Sequence, residues 1–161
     1  MINVLSRVNF QSLMSRHDLK DENIEKMQKT LFCICIHNTN GYNSTPHFLQ
    51  DHENVLRLWF DDCDCDNCGV LLNGETYTEK AMTEEQANQI YNFLVKQKEN
   101  GCNVGFVHCA AGIARSGAVG AFATEFFNAS GRDFHITNPQ IRPNGHVLQL
   151  LNRILWQKHF L

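Results

Sequence analysis

Residues His108-Cys109-Ala110-Ala111-Gly112-Ile113-Ala114-Arg115-Ser116 place a thiol, five small or apolar residues, a guanidinium and a hydroxyl in one short run. That set suits a loop that binds a tetrahedral oxyanion and attacks it, with Cys109 as the nucleophile. The backbone N–H groups of Ala110, Ala111, Gly112, Ile113 and Ala114 can cradle the anion. A helix starting where the loop ends would point its positive terminus inward. Both effects favour a thiolate, so Cys109 is expected to be ionised near neutral pH. Arg115 carries a planar fork of donors that can hold two anion oxygens at once. Ser116 can donate a hydrogen bond to the sulfur when it leaves.

The flanks must position this loop. Asn103 to Val107 is a short apolar run after Gly101 and reads as a buried strand. Beyond the loop, Val119, Phe122, Ala123, Phe126 and Phe127 recur at helical spacing, and Asn128 to Gly131 ends the run. Residues 2–10 read as a first strand and 20–29 as a short amphipathic helix. Leu31 to Ile36 is continuously apolar, as in a central strand covered on both faces. Residues 38–46 read as a loop and Val55 to Phe60 as a further strand. The spacing predicts a helix over 83–99, with a Thr83/Gln86 capping box and Glu84 and Glu85 at its positive end. A last helix is expected from Pro143, with Val147, Leu150, Leu151, Ile154 and Leu155 as its buried stripe. Strands alternating with helices imply an α/β layer fold with the loop at the carboxyl end of a central strand.

The bulk composition narrows the classes. The 161 residues suit one domain, 1–161, with its own core. Fourteen basic against seventeen acidic residues give a net charge of −3, which argues against a nucleic-acid-binding surface. The first residues contain no apolar export segment and no run approaches transmembrane length, so a cytoplasmic protein without membrane attachment is expected. Seven cysteines, an odd count, argue for reduced thiols over a disulfide framework. Cys63-x-Cys65-x2-Cys68 offers three close thiols. With a fourth ligand such as His52 they could bind zinc, or one could trap an oxidised Cys109, but the spacing lacks a second ligand pair.

The run 108–116, with Gly112 three residues after the cysteine and Gly117 after the serine, resembles the signature loop of the cysteine-dependent protein tyrosine phosphatases. The length resembles the compact dual-specificity type or its bacterial and phage relatives. The resemblance implies a central four- or five-stranded, mostly parallel sheet flanked by helices. It implies a phosphocysteine intermediate, no metal and no cofactor. It implies a phosphorylated protein or another phosphate monoester as substrate, bound by residues 110–115, in a chain expected to be a monomer. It also implies a general acid on an upstream loop. Trp59-Phe60-Asp61-Asp62 ends the predicted strand several dozen residues before Cys109. Trp59-Phe60-Asp61 resembles the tryptophan-proline-aspartate run of the larger members, which favours Asp61. An aspartate just past the strand end, as in the small members, favours Asp62. Asp62 is preferred and Asp61 stays open, with Asp64 and Asp66 outside the set. In this motif His108 orients the loop and tunes the cysteine. Arg142-Pro143-Asn144 resembles a segment that braces the loop.

Three other readings remain. A catalytically silent phosphate-binding module would keep the fold, although intact Cys109, Arg115 and Ser116 argue against it. A phosphoinositide or RNA 5′-phosphate substrate is disfavoured by the lack of lysines within the loop and by the acidic balance. An arsenate reductase of the low-molecular-weight type would carry its cysteine loop near the N-terminus.

Overall fold

The computed structural model describes residues 1–41, 45–67 and 69–161. Part of the expected 38–46 loop, and Cys68, lie outside the described residues. Four strands, β1 (Ile2–Ser6), β2 (Phe32–His37), β3 (Val55–Trp59) and β6 (Gly105–Cys109), form one sheet. Their order is β1-β6-β2-β3 and every pair is parallel. A separate antiparallel pair, β4 (Gly69–Val70) and β5 (Thr76–Tyr77), forms a hairpin that the sequence pattern does not announce.

Period-2 alternation explains why β2 is buried throughout. Phe32, Ile34 and Ile36 join the larger cluster, under helices α2 (Glu84–Glu99), α3 (Arg115–Phe126), α4 (Gly131–Thr137) and α5 (Gly145–Phe160). Cys33 and Cys35 point the other way, into a smaller cluster with Phe10 and Met14 of α1 (Arg7–Arg16), Ile24 and Phe48. Helix α3 lies close to β1. A Cβ on Gly120 would overlap Val4 Cγ2, so glycine is required for that approach. Asn138 ties the layers: Val4 N–H donates to its Oδ1 at 2.7 Å, and its Nδ2 donates to the carbonyls of Ile2 and Phe134.

Several boundaries differ from the sequence reading, each for a local reason. The expected strand over 2–10 stops at Ser6, whose hydroxyl accepts from Asn9 N–H and caps α1. The amphipathic helix over 20–29 is only a 3₁₀ turn, Ile24–Met27. Strand β6 runs two residues further than expected, because His108 and Cys109 still pair with Leu5 and Ser6 of β1. Gly131 opens α4 and does not end α3, since Ser130 Oγ accepts from Asp133 N–H. Pro143 precedes α5 and is not in its first turn. Asn144 takes the cap, its Oδ1 accepting from Val147 N–H at 3.0 Å. Helix α2 keeps the expected capping box.

Cys33, Cys35, Cys63, Cys102 and Cys109 are free thiols, whereas Cys65 is disulfide-bonded, contrary to the expectation of reduced thiols. That bond removes one of the three thiolates the spacing offered to zinc. Cys33 and Cys35 sit on the sheet face opposite Cys109 and cannot reach it without unfolding the strand.

Candidate active site

Strand β6 lies between β1 and β2, so its carboxyl end opens between two loops that leave in different directions, the usual place for a ligand crevice in such sheets. Residues 110–114 turn from there into α3. That helix begins after Ala114 with no side-chain cap, which leaves its first N–H groups facing the loop. Gly112 permits the turn. Its φ is +72°, and a Cβ there would overlap the backbone of Leu5 and Ser6. Gly112→Ala is expected to cost about 2–4 kcal/mol of stability, through strain and the backbone clash. Urea unfolding of the variant measures it, and a change below about 0.5 kcal/mol would contradict this account.

The loop is held from outside. Arg7 N–H donates to Ala110 O, Arg142 N–H to Ile113 O, and Asn144 N–H to Ala114 O. Gln140 Nε2 donates to Gly112 O and Val4 O. The segment Arg142-Pro143-Asn144 therefore braces the loop through main-chain bonds.

Cys109 is 2% exposed and Ser116 Oγ lies 3.0 Å from its sulfur. Burial alone would raise the thiol pKa. Hydrogen bonds from the Ser116 hydroxyl and N–H, the Arg115 charge and the Gly112 N–H outweigh burial and lower it. Arg115 is also buried. Its Nη1 donates to Asn38 Oδ1 at 2.7 Å and to Phe60 O at 2.9 Å, while its Nε has no partner among the described residues. A buried unsatisfied guanidinium N–H is costly, and an anion above the loop would satisfy it.

His108 faces the other side of the sheet. Its ring is tilted against Phe10 at 4.4 Å and its Nδ1–H donates to Cys109 O. Burial pushes its pKa down to about 3, so the ring is neutral and supplies no positive charge to the sulfur.

Two aspartates follow β3. The Asp61 carboxylate accepts from Thr39 N–H, Thr39 Oγ1–H and Lys80 N–H. Burial pulls its pKa up, but those bonds and the Arg115 charge prevail and hold it below the usual range. Asp62 is exposed, and Asn144 Nδ2 donates to its Oδ1 at 2.8 Å. Asn144 thus links the acidic loop, the cysteine loop and the cap of α5. Both carboxylates line a cleft of about 190 Å³ with Asn38, Thr78, Glu79 and Arg115. Asp66 accepts from Ala81 N–H and lies outside that lining.

Sequence reasoning missed Asn38, Thr39 and Glu79. Asn38 and Arg115 are 77 residues apart, and no spacing rule connects them. The available signal was modest: polar residues directly after the apolar run of β2.

No family model and no curated protein sequence matches the chain. Solved structures do share its fold. The human tyrosine phosphatase-like serine/threonine/tyrosine-interacting protein is 20% identical, with 86% of each chain covered and a TM-score of 0.51. PTPMT1, solved in complex with PI(5)P, is 19% identical, with 96% of this chain and 88% of that one covered and a TM-score of 0.50. With its four-stranded parallel sheet, flanking helices and cysteine loop at the strand end, the chain has the fold of the cysteine-dependent protein tyrosine phosphatase superfamily.

Proposed function

We propose that residues 1–161 are one phosphatase domain that hydrolyses phosphate monoesters through a phosphocysteine, as a protein tyrosine or dual-specificity phosphatase. The observation that carries this reading is the Cys109–Ser116–Arg115 arrangement: a thiol with a lowered pKa, a hydroxyl on its sulfur and a buried guanidinium N–H without a partner. Cys109 thiolate attacks phosphorus while the loop N–H groups and Arg115 hold the phosphoryl oxygens. The P–O ester bond breaks and the leaving oxygen takes the proton of Asp62. Water then attacks the phosphocysteine and gives a proton back to Asp62. The S–P bond breaks and the Ser116 hydroxyl donates to the departing thiolate. His108 orients the loop as a neutral ring.

A cytoplasmic monomer is the simplest setting, and among the described residues no helix is long and apolar enough to cross a membrane. The fold neighbour named phosphatase-like motivates a second reading, a silent phosphate-binding module. The neighbour bound to PI(5)P motivates a lipid substrate. Intact Cys109, Arg115 and Ser116 favour turnover over silence, and the uncharged loop 110–114 favours a singly phosphorylated group.

The test is hydrolysis of para-nitrophenyl phosphate at pH 5–7 with a chelator present, followed by acid quench and mass spectrometry. Turnover with phosphate on the Cys109 peptide is expected. Folded protein that binds phosphate without turnover would establish the silent module.

A further inference from the structure

Segments 61–67 and 75–81 run side by side along one edge of the cleft: Asp61 N–H donates to Lys80 O, Asn67 N–H to Glu79 O and Ala81 N–H to Asp66 Oδ1. Asp61, Asp62 and Glu79 of that wall line the cleft, and Asp64, Asp66 and Glu75 lie on the same two segments outside the lining. The wall's one cation is Lys80, which lies 3.9 Å from Asp66 Oδ2 and leaves Glu79 without an ion pair among the described residues. The carboxylates act together. Cys63, set among them, has its thiol pushed up to about 11, by burial first and then by Glu79, Asp61 and Asp66.

The floor of the same cleft has the opposite demand. Arg115 lines it, is 5% exposed, and has an Nε–H without a partner among the described residues. The loop between Cys109 and Arg115, which lies outside that lining, carries no charged side chain. One anion therefore fits the floor, and the wall beside it fits cations. A second phosphate next to the first would meet carboxylates at close range.

We propose that the acidic wall selects a phosphorylated polypeptide segment with lysine or arginine beside the phosphorylated residue, and rejects polyphosphorylated ligands. This rests on the phosphatase reading of Cys109. The wall would act by concentrating cationic substrates at the cleft, an effect that salt screens. Exposed Val70, Leu71 and Leu72, at the turn of the hairpin between the two segments, extend the wall with apolar surface that a peptide can cover.

The experiment compares two phosphotyrosine peptides of equal length, one flanked by arginines and one by glutamates, with para-nitrophenyl phosphate as reference. The kcat/KM ratio should favour the arginine peptide by about tenfold or more at low salt and fall toward one at 1 M salt. Glu79→Lys should shrink the ratio, and Asp64→Lys, on an exposed turn, should do so independently. A ratio near one or below, with the aryl phosphate turned over normally, would overturn the proposal and leave the phosphatase reading intact. Faster hydrolysis of an inositol head group bearing a second phosphate would overturn it too. If no ester is hydrolysed, the phosphatase reading fails. The same two peptides titrated against the Cys109→Ser protein then decide whether the wall still selects charge.

Discussion

Cys109→Ser is expected to lower kcat by about 10⁴-fold or more while phosphate or vanadate still binds and protects the fold. The substitution keeps the size of the side chain and its neighbour, Ser116 Oγ, 3.0 Å away. It removes the thiolate, because a serine hydroxyl does not ionise in an environment tuned to a thiol. Anion binding draws on other groups, the loop N–H groups, the uncapped start of α3 and Arg115 Nε–H, all of which stay in place. The assay is single-turnover hydrolysis paired with thermal stability in added phosphate. A residual rate within tenfold of the native protein would show that Cys109 is not the nucleophile. Loss of phosphate stabilisation would show that the sulfur itself holds the anion site together. The native pH profile carries the same information. The lowered thiol pKa extends the ionised form of Cys109 to lower pH than an ordinary thiol allows, so activity should fall as pH drops through that lowered value.

The contrast between local and distant signals explains what the sequence revealed. The cysteine loop was legible because its parts are contiguous: nucleophile, cradle, guanidinium and hydroxyl fall within one turn between a strand and a helix. The α2 capping box and the buried strand β2 were legible for the same reason, since their determinants are nearest neighbours or share one period. The start of α1 was not, because the apolar residues of 2–10 satisfy strand alternation as well as helical spacing. Only the Ser6 cap decides between them. The same limit applied to α4, a seven-residue helix hidden in a stretch that reads as a terminator. The wider site was the least legible. Asn38 meets Arg115 across 77 residues of sequence and Asp62 meets Asn144 across 82, and those contacts follow from the sheet order β1-β6-β2-β3.

Asp62→Asn is expected to slow hydrolysis of substrates with poor leaving groups by about 10²–10⁴-fold, and Asp61→Asn to act mainly on stability. The argument turns on which carboxyl can hold a proton. Asp61 accepts three hydrogen bonds, two of them from backbone N–H groups that cannot accept in return, and the Arg115 charge adds to them. Each favours its carboxylate, so Asp61 is a poor acid. It is instead a clasp that ties the ends of β2 and β3 to Lys80. Asp62 is exposed, accepts one bond from Asn144 and faces the cleft beside Arg115. An asparagine there keeps that bond's geometry and loses only the proton. The loss of kcat/KM on alkyl phosphates should therefore appear in Asp62→Asn with the fold intact and be absent from Asp61→Asn. Substrates with good leaving groups, such as para-nitrophenyl phosphate, should show a smaller loss in Asp62→Asn than alkyl phosphates do. If Asp61→Asn instead shows that loss with the fold intact, the proton donor is Asp61, and the Thr39 and Lys80 bonds must open during turnover.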